Sequence, residues 1–166
     1  MLQPVLRRTW APCGQTPIHK SWDRHDRLSV ISALTVSPQR GRLGIYFEIL
    51  DHNIRTDDVL AFLKGLRAHL QRRITLVWDR WSVHRSAARR LLERSPHWAA
   101  IEWLPPYAPE LNPVEQVWNH TKCADLANYL PDDIHDLRCQ VHHSIQSKRS
   151  RTSLLHSFFE HAQLAL

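Results

Sequence analysis

Leu104-Pro105-Pro106-Tyr107-Ala108-Pro109-Glu110-Leu111-Asn112-Pro113-Val114-Glu115-Gln116-Val117-Trp118 is the stretch on which the fold turns. Its first half is stiffened by prolines, and its second half opens a helix, with Asn112 as the cap and Pro113 at the first helical position, where a missing N–H costs nothing. Glu115 then falls in the first turn. It lies 36 positions after Asp79, which closes the apolar run Ile74-Thr75-Leu76-Val77-Trp78. A run of that length reads as a buried strand, and ligand sites in α/β sheets gather at the carboxyl ends of strands. One carboxylate at a strand end and another at a helix start can share a divalent metal, a layout that serves phosphoryl transfer on nucleic acid. Each acid also has a plainer use: Asp79 can begin the turn before Ser82, and Asn112-x-x-Glu115 fits a capping box. The rigid Pro105 to Pro109 segment favours the shared-metal arrangement, because it fixes the helix start relative to the strand before it.

Outward from this centre the pattern alternates. Leu28 to Val36 and Leu43 to Leu50 are rich in β-formers and flank the turn residues Ser37 to Gly41, so they predict a hairpin. Thr56 is a candidate cap for a helix with Asp57 and Asp58 in its first turn and with Leu60, Leu63, Leu66 and Leu70 at helical spacing. Ser82 is a candidate cap for the next helix, in which Ala87, Ala88, Leu91 and Leu92 face the core while Arg85, Arg89, Arg90 and Arg94 occupy the other side. Ala100 to Leu104 reads as a strand, and helices are predicted from about Pro131 to Ser147 and from Thr152 to Ala165. The order hairpin, helix, strand, helix, strand, helices is α/β with a partly antiparallel, mixed sheet flanked by helices. One unit is expected over 1–166: an irregular basic lead-in at 1–27, where Pro4, Pro12, Gly14 and Pro17 break any periodicity, a sheet core at 28–128, and C-terminal helices at 129–166.

Composition narrows the partners. Lys and Arg total 22 against 16 Asp and Glu, a formal charge of +6, which favours polyanions and nucleic acid first among them. The Arg-rich face with Arg85, Arg89 and Arg90 and the basic Lys148-Arg149-Ser150-Arg151 segment are candidate contacts to backbone phosphates, an ordinary solvated face being the alternative. Cys13, Cys123 and Cys139 are an odd number with no C-x-x-C pair, which fits a reducing cytoplasm better than a disulfide framework or a zinc site. No apolar run approaches the ~20 residues that cross a bilayer, so no membrane association is expected. His84, five residues after Asp79, could orient a phosphate or a metal-bound water. Trp78, Trp81, Trp103 and Trp118 could stack on bases, but aromatics on a small sheet are expected in its core.

These motifs resemble the DDE transposases of bacterial insertion sequences related to the mariner elements, whose catalytic domain is ribonuclease-H-like and integrase-like. Arg8-Thr9-Trp10-Ala11-Pro12-Cys13-Gly14-Gln15-Thr16-Pro17 looks like the segment after that family's first catalytic strand. Trp78-Asp79-Arg80-Trp81-Ser82-Val83-His84 is similar to its second acidic motif, with Arg80 in place of the usual Asn, and Leu104 to Trp118 to its third. The resemblance implies a DNA endonuclease and strand transferase using two Mg²⁺ or Mn²⁺ ions, with Asp79 and Glu115 as catalytic metal ligands and His84 and Asn112 as auxiliaries. It also implies DNA as partner, self-association or association with a full-length transposase or an upstream fragment, and a place at the bacterial nucleoid. The family's first Asp sits on a strand upstream of the Arg8 to Pro17 segment, and no acid occurs in Met1 to Arg7. Asp23 and Asp26 come too late to replace it, and Asp51 is the nearest substitute. The chain is accordingly expected to be an N-terminally truncated domain, lacking the central first strand and the family's helical DNA-binding domain. Lone activity is not expected, and a non-catalytic DNA-binding remnant that modulates full-length transposase is the alternative. Leu28 to Val36 and Ile74 to Asp79 should then each lack a ladder neighbour, unless residues 2 to 7 mimic the missing strand's end.

Overall fold

The computed structural model describes residues 5–15, 18, 28–38 and 41–164. Two β-rich runs form the expected hairpin, β1 (Ser29–Val36) and β2 (Leu43–Leu50), antiparallel and paired from Ser29↔Leu50 to Val36↔Leu43. After α1 (Thr56–Leu70) come β3 (Ile74–Trp78), α2 (Ser82–Arg94) and β4 (Ala99–Trp103), with β3 and β4 parallel and in register from Ile74↔Ala99 to Trp78↔Trp103. A 3-10 turn (Pro109–Leu111) leads into α3 (Pro113–His120), which runs on into a π-helical turn (Thr121–Asp125). Then follow α4 (Ile134–Ser147), a 3-10 turn (Lys148–Ser150) and α5 (Thr152–His161). The last helix is shorter than its sequence pattern, and Ala165 lies outside the described residues, as do the turn residues Gln39 and Arg40. None of the described helices is long and apolar enough to cross a membrane.

Period-two alternation puts both faces of the hairpin to use. Leu28, Val30 and Leu34 with Ile45 and Ile49 join Val117, Leu137, Val141, Ile145, Leu155 and Phe158 in one core under α3, α4 and α5. The opposite face, with Ile31, Ala33, Tyr46 and Leu50, joins a second core made with α1, α2, β3 and β4. Ile74, Leu76 and Trp78 turn into that second core, whereas Val77 on the other face of β3 is exposed. So the hairpin is covered on both sides and the parallel pair on one.

The strands form two separate two-stranded sheets, β1-β2 and β3-β4, so among the described residues β1 and β3 each have one ladder partner, as the resemblance implied. The outer edge of β2 is closed by side chains: Arg138 donates to the Ile49 carbonyl at 2.7 Å and Arg149 to that of Ile45 at 3.2 Å. Residues 2 to 4 lie outside the described residues, and 5 to 7 do not extend either sheet. They run past Asn128 instead, whose N–H donates to the Val5 carbonyl and whose side-chain oxygen accepts from the Arg7 N–H.

Two expected caps are displaced. Arg55, not Thr56, is the cap of α1, with its N–H donating to the Asp58 carboxylate at 2.7 Å, and Trp81, not Ser82, precedes α2. Each hydroxyl sits one residue inside its helix, so the first-turn N–H groups are met otherwise. Leu92 is exposed rather than buried, because Leu91 already fills the α2 core stripe.

Candidate active site

Asp79 follows the last residue of β3, where the backbone leaves the sheet. One of its carboxylate oxygens, Oδ1, accepts from the Trp81 N–H at 2.9 Å and from His84 Nδ1 at 2.7 Å. These bonds are the turn use foreseen for Asp79, and they occupy one oxygen. The second, Oδ2, has no partner among the described residues, and the side chain is 44% exposed. The hydrogen bond from His84 is the main reason that the Asp79 carboxyl lies below the usual carboxylate range; partial burial opposes the shift, and the Trp81 N–H adds to it. His84 is itself gripped: its ring lies flat on Trp78, centroids 5.0 Å apart at 4°, and takes the edge of Trp81 at 5.2 Å. With Nδ1 engaged by Asp79, Nε2 is the ring nitrogen left for another partner.

The loop toward Glu115 begins against this strand end. The Leu104 N–H donates to the Trp78 carbonyl at 2.7 Å, and Arg80 Nε donates to the Leu104 carbonyl at 3.2 Å. Arg80, which stands where the resemblance has Asn, thus ties the Asp79 turn to the proline-rich loop. Asn112 caps α3 through its side-chain oxygen and the Val114 N–H at 3.2 Å. The reciprocal half of a capping box is absent: the Asn112 N–H already donates to the Pro109 carbonyl at 3.0 Å, so the exposed Glu115 carboxylate is not drawn back. Among the described residues that carboxylate has no hydrogen-bond or ion-pair partner. Nor do any three His, Cys, Asp or Glu side chains among them converge to hold a metal ion, so Asp79 and Glu115 do not close a metal cage by themselves.

The remaining candidates divide. Asp51 follows the last residue of β2 and bonds His52 Nδ1 at 3.0 Å, while His52 Nε2 reaches Asp58 at 3.2 Å, so it belongs to a cluster at the start of α1. Asp23 and Asp26 lie outside the described residues. Arg85 and Arg89 are exposed and have no ion pair among the described residues, and Arg151 is exposed. Arg90 is held by Asp57 at 2.8 Å, and Arg149 is engaged with β2 and lies over Tyr46. Lys148 is the clear correction to the list of phosphate contacts. It is 0% exposed and donates to Asp125, Thr121 and both Ser144 oxygens, because α4 turns it inward against the π-helical turn. The core expectation for the tryptophans also fails in part: Trp78 and Trp118 are partly buried against the cores, but Trp81 and Trp103 are exposed. Tyr107, which sequence reasoning passed over, is fully exposed in the left-handed region at φ 59°. Its signal was a lone aromatic residue set among the prolines at 105, 106 and 109.

The model of the DDE superfamily endonuclease family matches residues 1–138. The chain belongs to that family. No curated protein matches it in sequence. The fold of this DDE endonuclease domain is similar to that of a chain in the "Crystal structure of the Mos1 Strand Transfer Complex", at TM-score 0.62 and 16% identity over 96% of this chain and 48% of that one. It therefore spans about half the length of that chain. The likeness is one of fold, and it bears out the ribonuclease-H-like mixed α/β architecture.

Proposed function

We propose that this domain cleaves and transfers DNA strands in transposition of an insertion sequence, with Asp79 and Glu115 as two of the carboxylates that hold Mg²⁺ or Mn²⁺. The observation that carries this is the Asp79 carboxylate, at a strand end, with Oδ1 fixed by Trp81 and His84 and Oδ2 left open toward solvent. A carboxylate that only started a turn would not need a second grip from a stacked imidazole. Hard oxygen donors suit Mg²⁺ and Mn²⁺. Because two such groups do not make a cage, a third carboxylate comes from outside the described residues, and the roles assigned to this chain stop at its own side chains. Asp79 is held ionised and oriented by His84, Asn112 sets the first turn that carries Glu115, and Arg85, Arg89 and Arg151 bind backbone phosphates. DNA is the partner, and association with a full-length transposase, an upstream fragment or another copy that brings a third carboxylate is part of the proposal.

Nicking of supercoiled DNA in Mn²⁺ tests this, using the full chain with and without a peptide strand bearing an Asp. Nicking should require the peptide and should disappear in Asp79→Asn and Glu115→Gln. Nicking that survives both substitutions would end the assignment, and equal nicking without the peptide would show that the chain supplies its own third acid.

The absence of a third converging ligand among the described residues also favours a second reading, a non-catalytic DNA-binding remnant that modulates full-length transposase. That reading expects salt-sensitive DNA binding that is indifferent to Asp79→Ala and no nicking under either condition.

A further inference from the structure

Four rings stand in file around Asp79. Trp103 and Trp78 have centroids 6.3 Å apart, Trp78 stacks on His84, and His84 meets Trp81. The inner two are partly buried, as a supporting layer would be. The outer two show their rings to water, Trp81 at 44% and Trp103 at 36% exposure. Tyr107 adds a third exposed aromatic on the loop that starts at Leu104, pinned to the Asp79 strand end by the Trp78 carbonyl and Arg80. A single exposed aromatic is ordinary, whereas here two exposed rings lie in one file past Asp79 and a third stands on the loop that leaves the same strand end.

Tyr107 carries a second sign. A non-glycine residue in the left-handed region strains the backbone by about 1–2 kcal/mol, and the ring of Tyr107 recovers none of that through burial. Prolines at 105, 106 and 109 hold the loop around it. Such a ring contributes stability only in a state where something covers it.

We propose that Trp81, Trp103 and Tyr107 form a stacking platform for unpaired bases of a DNA strand next to Asp79; this rests on the reading that the domain acts on DNA. The chemistry of the surroundings selects the occupant. In sequence Asp79, Arg80 and the exposed Arg85 stand around Trp81, a polar setting poor for a second protein copy but suited to a nucleotide, whose base offers a flat π-face and whose phosphate suits an arginine. Paired bases inside a duplex are stacked on one another and cannot offer that face. Unpaired bases are therefore the ligand class, as found at a frayed or nicked end.

Binding of the full chain to a blunt duplex and to the same duplex with a three-nucleotide unpaired overhang, read by fluorescence anisotropy at fixed salt, tests the proposal. The overhang should bind about tenfold more tightly, the scale of one stacked base. Tyr107→Gly, which relieves the backbone, and Trp103→Ala should each cut that preference to threefold or less and leave blunt-duplex affinity unchanged, while Tyr107→Phe should keep it. Equal affinity of the parent chain for both DNAs overturns the platform and leaves the DNA reading standing. No binding to either DNA removes both. A change of oligomeric state in Tyr107→Gly with overhang preference intact assigns the rings to self-association instead, and also overturns it.

Discussion

At the residue scale Lys148 shows how little a charged side chain's type says about its place. Its ammonium is enclosed, and burial holds its pKa below the ordinary lysine value even though Asp125 pulls the other way. For Asp125 the balance is reversed: burial would raise its pKa, but bonds from Lys148 and Ser144 bring it below the usual carboxylate value. The pair joins the π-helical turn to the end of α4, and Asp125 also lies 3.4 Å from His120. Lys148→Met would leave Asp125 without its main partner. Loss of one partner from a fully buried pair costs about 3–5 kcal/mol, and the 27% exposure of Asp125 reduces this to about 2–4. Urea unfolding should show that fall, and Lys148→Met with Asp125→Leu should restore much of it. None of this was legible in the sequence, where Lys148 sits in a basic run and its partners Thr121 and Asp125 stand 27 and 23 positions away.

Elements were far more legible, since their signals are local. Runs of β-formers gave both strands of the hairpin to within one residue, and the Asn112-Pro113 pair placed the start of α3, because cap and proline act on the backbone beside them. The candidate site was readable to the same depth: Asp79 at a strand end and Glu115 in a first turn follow from adjacent residues. Whether the two carboxylates are joined by a third depends on distant segments, which spacing cannot report. Helix ends were less legible where hydroxyls suggested caps one residue away from the true ones. The C-terminal end of α1 offers a test of such local terms. Gln71 caps it in the left-handed region at φ 51°, its N–H donating to the Arg67 carbonyl at 3.0 Å. Glycine takes that conformation without penalty, so Gln71→Gly should raise stability by about 1 kcal/mol in urea unfolding. No gain, or a loss, would mean that the Gln71 side chain makes contacts that outweigh backbone strain.

At the scale of the molecule, the hairpin lies between three helices on one side and, on the other, two helices with the parallel pair, and side-chain carboxylates fix the helix ends. A two-stranded sheet is marginal alone, so stability rests on these helices and on the anchors that orient them. Asp58 receives the Arg55 N–H at the start of α1, Asp125 receives Lys148, and Asp136 receives the Tyr129 hydroxyl at 2.6 Å and the Asp132 N–H at 3.0 Å at the start of α4. All three have folded pKa values below the ordinary Asp value, Asp58 chiefly through the Arg55 N–H and Asp136 chiefly through Tyr129. A depressed carboxyl gives its full contribution above its unfolded pKa, about 3.9, and loses it as pH falls through the lower folded value. His52 has the opposite sign: bonds to Asp51 and Asp58 raise its pKa, so its contribution is complete below about 6.5 and fades as pH rises through the raised value. Because His52 is exposed, its effect is screened and the carboxylates set the profile. The urea midpoint should therefore vary little from pH 7 to pH 5 and fall steeply below about pH 4, with a smaller fall in Asp136→Asn because one of the three titrating anchors is gone. A midpoint that keeps rising as pH drops from 5 to 3 would show that these carboxylates are no tighter in the fold than in the open chain.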